Sequence, residues 1–252
     1  MKKNLNTRIV VFLLFVVCTI TVGAMVLATE GQSDVKKLRI ENKTKSLMVH
    51  SIKELEKNGE NSRFAITVKN VGDKPILAYS IGISDNKTDK NSINRIEING
   101  AINSWSLKSN DVNVTPFSAS PEGERTLTIV AVMFEDGSGE GISTDLTRLQ
   151  EVHAGAMLAL KQITPILKSI GHDEGSALDS AIESTKEKIA SLNENDVLEN
   201  LRRGFVQAKD YYVSELKDLK DKALANPHLN FNAEITKKVA KMERMLAKRL
   251  ES

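Results

Sequence analysis

The residues Glu135-Asp136-Gly137-Ser138-Gly139-Glu140-Gly141 form the densest patch of potential ligand chemistry in the chain. Three carboxylates and a hydroxyl among glycines suit a hard cation such as calcium, which gathers about six to eight oxygen ligands. The same residues also describe a solvated turn in which glycine supplies positive φ. The turn is the simpler reading. A second stretch, Asp85-Asn86-Lys87-Thr88-Asp89-Lys90-Asn91, has part of a calcium-loop pattern. Lys87 stands at its third ligand position and Lys90 replaces the required glycine, so it reads as a polar turn.

Histidine offers little more. His50, His153, His172 and His228 form no HExxH or HxH group and fall in different predicted elements. Zinc needs three or four converging ligands, so each is expected to be a surface or half-buried residue. The lone cysteine, Cys18, lies near the N-terminus, and the remainder of the chain has no thiol for a disulfide, a metal or nucleophilic attack. There is no Gly-x-Ser-x-Gly elbow or Ser-x-x-Lys motif for acyl transfer. A phosphate loop and a dinucleotide fingerprint are absent too. Acidic residues are plentiful, but spacing alone does not pair them into a catalytic couple. No catalytic, cofactor-binding or metal residue is assigned, and no cofactor is expected.

Trp105, in Ala101-Ile102-Asn103-Ser104-Trp105-Ser106-Leu107, fits either an exposed binding face or the core. The core is expected, because a lone Trp usually buries its large apolar surface. Sequons stand at Asn42-Lys43-Thr44, Asn86-Lys87-Thr88 and Asn113-Val114-Thr115. They carry weight only in a host that glycosylates, and the bacterial look of the N-terminus makes chance the better explanation.

The elements that hold these residues follow from patterning. Lys2, Lys3 and Arg8 precede a stretch without charge, residues 9–28, ending in the small-residue sites Val22-Gly23-Ala24 and Val26-Leu27-Ala28. This is an export signal. It predicts either cleavage after Ala28 or, since a spanning helix needs about 20 apolar residues, a retained anchor with the remainder outside. Cys18 lacks a lipoprotein context. Cleavage would leave about 220 of the 252 residues, enough for one large domain or two small ones. The formal charge of +2 would fall to about −1 without the leader cations, so nucleic acid is not an expected partner.

From residue 34 to 142 the apolar pattern has period two. Phe64, Ile66 and Val68 alternate with Ala65, Thr67 and Lys69, and Leu77, Tyr79, Ile81 and Ile83 with smaller residues. These are the marks of antiparallel, half-buried strands, separated by turns such as Asn58-Gly59, Asn99-Gly100, Pro121-Glu122-Gly123 and Asp136-Gly137. Thr128-Ile129-Val130-Ala131-Val132-Met133-Phe134 is apolar on both faces and predicts a central strand. About seven such strands predict a β-sandwich.

From residue 143 to 252 the period is helical. A first helix carries Leu146, Leu149, Val152, Ala156, Leu160, Ile163 and Leu167, with Pro165 expected to kink or end it. Gly171 closes it, and Asp173 opens a second helix through Leu178, Ile182 and Ile189. Asn195 or Asp196 starts a third, whose near-heptad seam runs through Leu198, Leu201, Phe205, Ala208, Tyr212, Leu216, Leu219 and Ala223. Asn226-Pro227 stops it, and a last helix carries Ile235, Val239, Met242, Leu246 and Leu250. These predict an antiparallel bundle or hairpin, or a third helix that projects to pair with another chain.

The run Phe64-Ala65-Ile66-Thr67-Val68-Lys69-Asn70-Val71-Gly72-Asp73-Lys74-Pro75-Ile76-Leu77-Ala78-Tyr79 resembles an immunoglobulin-like module common in exported bacterial proteins. Residues 130–141 resemble the closing strand and acidic-glycine turn of uncharacterised exported bacterial proteins. The resemblance covers about 80 residues of the β half. It implies an immunoglobulin-like sandwich without the inter-sheet disulfide of antibody domains, and it carries no activity or functional residue. The expected fold class is therefore α+β, an N-terminal sandwich followed by a helical domain. The expected function is a non-enzymatic binding or scaffold protein, periplasmic or extracellular, with a protein partner and membrane contact only through an uncleaved leader. The alternatives are an exported hydrolase with a site assembled from distant residues, and a membrane-anchored envelope assembly factor.

Overall fold

The period-two runs become strands and the period-3.6 runs become helices. The computed structural model describes residues 38–58, 61–85, 93–103, 105–119, 125–170, 178–226 and 229–248. In chain order these form β1 (Leu38–Asn42), β2 (Leu47–Asn58), β3 (Asn61–Asn70), β4 (Ile76–Asp85) and β5 (Ile93–Asn99). A helical turn, α1 (Gly100–Asn103), precedes β6 (Val112–Ala119), β7 (Arg125–Phe134) and β8 (Gly139–Gly141). Then follow α2 (Ser143–Ile170), α3 (Leu178–Ala190), a 3-10 turn (Glu194–Asp196), α4 (Glu199–Ala225) and α5 (Phe231–Lys248). The predicted leader, residues 1–28, lies outside the described residues, as do most of the 85–91 stretch, the 121–123 turn, and Gly171, Asp173, Pro227 and Leu250.

The strands form two sheets. One runs β1-β7-β4-β5, and the other β2-β3-β6. β1 and β8 share one edge of β7, β1 along Arg125–Ile129 and β8 along Ala131–Met133. The β1–β7 pairing is parallel, which corrects the expectation of antiparallel strands throughout. A period of two reports that one face is buried, not which partner a strand takes or in what direction.

The sheets bury a common apolar cluster. Leu47, Ile52, Ile66 and Val68 of the smaller sheet join Tyr79, Ile81, Leu127 and Ile129 of the larger. Tyr79 crosses between them, its hydroxyl 2.9 Å from Thr115 Oγ1 and accepting from Asn113 Nδ2 at 2.8 Å. Ala78, Ala131 and Met133 bury the opposite side of the larger sheet against Leu149 of α2. β7 is thus covered on both faces, as its unbroken apolar run requires.

Asn70 closes the turn before β4. Its Nδ2 donates to the carbonyls of Lys74 (2.9 Å) and Leu107 (2.8 Å), and its Oδ1 accepts from Gly72 N–H at 2.9 Å. The side chain is fully buried, so Asn70→Ala would strand the groups it serves. We expect a loss of about 2 kcal/mol, read as a lower denaturant midpoint at unchanged slope.

α2 runs through Pro165 to Ile170, which corrects the expectation that the helix could end there. Pro165 and Lys161 face solvent, where water can satisfy the carbonyl that loses its helical partner. Leu167 and Ile170 beyond them are buried and hold the last turn in place. The third predicted helix begins later than expected. Asn193 caps the 3-10 turn through Asn195 N–H (3.0 Å), and α4 starts at Glu199. Leu198 is therefore 70% exposed instead of joining the seam. Phe205, Ala208, Tyr212, Leu216 and Leu219 pack with Leu160 and Ile163 of α2 and Ile235 and Val239 of α5. The α4 seam is covered within its own chain.

Candidate ligand cleft

A cleft of about 600 Å³ opens where one end of the larger sheet meets α2 and α5. Five separate segments of the chain build it. Leu77 at the start of β4 and Met133 near the end of β7 come from the sheet. Trp105 follows α1, its N–H held by the Gly100 carbonyl at 3.1 Å. His153 and Met157 stand one turn apart on α2, while Lys241, Arg244 and Met245 come from α5. Its apolar lining is thus one tryptophan, one leucine and three methionines.

His153 is buried, and its Nδ1 lies 3.1 Å from Asn99 Oδ1. Burial corrects the expectation of a surface or half-buried histidine. One residue on a helix face carries no sequence signal of what lies opposite it.

The acidic-glycine cluster forms the β7–β8 turn, with Gly137 at φ +80° and Gly141 at φ +116°. Asp136 Oδ2 accepts from Lys74 Nζ at 2.7 Å, and Oδ1 accepts from Ser138 N–H (3.0 Å) and Oγ (2.5 Å). The Lys74 hydrogen bond, then those from Ser138, hold the Asp136 carboxyl down at about 2. Glu140 Oε1 accepts the N–H groups of Lys45 (2.9 Å) and Ser46 (2.6 Å), tying β8 to the β1–β2 turn. Two of the three carboxylates therefore hold the local structure together, and Glu135 lines the cleft.

A depressed carboxyl favours the folded state above its unfolded value and loses that contribution as pH falls through the folded value. For Asp136 the window runs from the ordinary range near 4 down to about 2. Lys74→Met should move the Asp136 titration back toward the ordinary range in a carboxyl-detected NMR titration. An unchanged midpoint would show that Lys74 is not the cause.

The other flagged residues scatter. His50 is exposed on β2, and Trp105 is half-buried, packed edge-on to Tyr79 with ring centroids 6.3 Å apart. Trp105 thus borders the core and lines the cleft, combining the two alternatives. Asn42 is engaged by its own sequon, accepting from Thr44 N–H and Oγ1 at 2.9 Å each. Asn113 serves Tyr79. His172, His228 and Asn86 lie outside the described residues. Among the described residues, no group of three or more His, Cys, Asp or Glu is placed to hold a metal, and no helix is long and apolar enough to cross a membrane.

Sequence reasoning passed over Met133, Met157, Met245, Lys241 and Arg244. Each is an ordinary core or surface residue of its own element, and only packing brings them together. Their charges are unevenly matched. On α5, Lys237 pairs with Glu234 (2.6 Å) and Lys238 with Glu215 (2.5 Å). Lys241 and Arg244 have no ion pair among the described residues, though Arg244 Nε donates to the Ala240 carbonyl at 3.2 Å. No protein-family model matches the chain, and no curated protein matches it in sequence.

Proposed function

We propose that this chain is an exported, non-enzymatic binding protein, an immunoglobulin-like sandwich joined to a helical bundle, with its ligand site at the join. The observation that carries this reading is the 600 Å³ cleft. Its volume lies within the range of about 300–1,000 Å³ usual for small-molecule sites, and its lining joins apolar side chains to polar and charged ones. The leader motivates export. Leu38 pairs with Arg125, at the end of β7 away from Met133. At ~3.3 Å per residue the cleft lies about 26 Å along the sheet from the point where the N-terminal segment joins.

Native mass spectrometry of the chain purified from its host's exported fraction tests this, with Met245→Trp as the cleft-filling variant. The wild type should carry a small-molecule adduct that the folded variant lacks. A chain retained in the cytoplasm, or identical spectra for both proteins, would overturn the proposal.

A further inference from the structure

The cleft's apolar lining and its uneven charge together specify more than a cavity. We infer that it takes a single-chain anionic amphiphile, with its hydrocarbon tail on Trp105 and the methionines and its carboxylate at Lys241 and Arg244. This rests on reading the cleft as a ligand site.

The apolar lining suits a flexible chain. Met133, Met157 and Met245 bring unbranched, polarisable thioethers that adjust to irregular apolar shapes. Trp105 adds a broad flat surface beside them.

Charge sets the head group. Glu135 and Asp136 stand on the rim contributed by the β7–β8 turn. Asp136 is already matched by Lys74 at 2.7 Å, and Glu135 is engaged within the molecule. On the α5 rim, Lys241 and Arg244 are three residues apart and so lie on one face of the helix. Neither has an ion pair among the described residues, although Lys237 and Lys238 on the same helix both do. Lys241 also feels the Glu234 carboxylate, so the larger unmet demand for negative charge on this rim is at Arg244. Arginine offers a planar fork that matches a carboxylate, and lysine adds a point charge beside it. Glu135 would repel a carboxylate placed at the turn, which fixes the orientation: head at α5, tail toward the sheet.

Trp105 is the chain's one tryptophan, so its fluorescence reports on this cleft alone. The full-length protein is titrated below micelle-forming concentrations with laurate, dodecanol and dodecylamine, with calorimetry in parallel. Laurate should saturate the signal with the highest affinity. Lys241→Ser with Arg244→Ser should weaken laurate about tenfold, the scale of two partly exposed ion pairs, and leave dodecanol unchanged. Equal affinities for the three probes, or a double variant that binds laurate as the wild type does, would overturn the anion assignment while the cleft stands as a binding site. No saturable binding of any probe by either method would remove both.

Discussion

Gly204→Ala should lower the unfolding free energy by about 3 kcal/mol, the upper part of the range for overpacking a filled core. A Cβ at Gly204 would sit 1.8 Å from the Val152 carbonyl oxygen of α2, and one at Gly155 would sit 1.9 Å from the Leu201 carbonyl oxygen of α4. The two helices therefore touch backbone to backbone at two reciprocal points. The obstacle is main chain on a buried helix, so no side chain can turn aside to make room. A methyl group there must push α2 from α4 and open the cluster around Leu160, Phe205 and Ala208. Gly155→Ala should act similarly. Gly137→Ala is the control: it has open space around it but positive φ, so it should cost about 1 kcal/mol through backbone strain. Urea unfolding reads all three. Losses at Gly155 and Gly204 no larger than at Gly137 would mean that the helices do not meet there.

Glu97→Ala should cost about 2 kcal/mol at neutral pH, the scale of charge-assisted contacts to partly exposed partners. The Glu97 side chain on β5 is only 2% exposed, and its two oxygens meet Arg148 of α2 at 2.8 Å and Arg203 of α4 at 3.0 Å. Beside it, Arg95 of β5 meets Asp145 of α2 at 2.5 Å. These pairs fasten the outer strand of the larger sheet to two helices. Breaking a buried pair from one side typically costs about 3–5 kcal/mol. That range is for a charge left buried and unpaired, whereas both arginines are partly exposed and can turn to water, which places the loss below it.

The pH dependence has a definite sign. Burial pushes the Glu97 carboxyl above its ordinary range, outweighing the opposing pull of Arg148 and Arg95. A raised folded value means that the group favours folding fully below its unfolded pKa and loses that contribution as pH rises through the folded value. The stability of the wild type relative to Glu97→Gln should therefore be greatest in acid and shrink with rising pH. That is opposite to the Asp136 effect. A gap that widened with pH would show that the arginines outweigh the burial.

Reading the sequence located the central strand at residues 128–134 and the seam of α4, because each is an unbroken or regularly spaced apolar pattern within one element. It left open that the helix ends at Pro165, but a proline on a solvent-facing turn is tolerated when buried residues continue beyond it. It passed over the close approach at Gly155 and Gly204, because a glycine inside a helix looks the same in sequence whether it faces water or another backbone. Asp136 and Glu140 were visible as a cluster, but the partners that engage them, Lys74 and the β1–β2 turn, lie far along the chain.

Local patterning was enough for strands first and helices after, since periods of two and 3.6 are properties of a single segment meeting a single apolar surface. The parallel seat of β1, the anchoring of β5 by Glu97 and the cleft between sheet and helices belong to the tertiary structure. Each depends on residues of several elements converging, and the cleft's Leu77, Met133, Met157 and Arg244 carry no common period or spacing. Only burial of both faces of the larger sheet brings α2, and α5 behind it, to the place where those side chains meet.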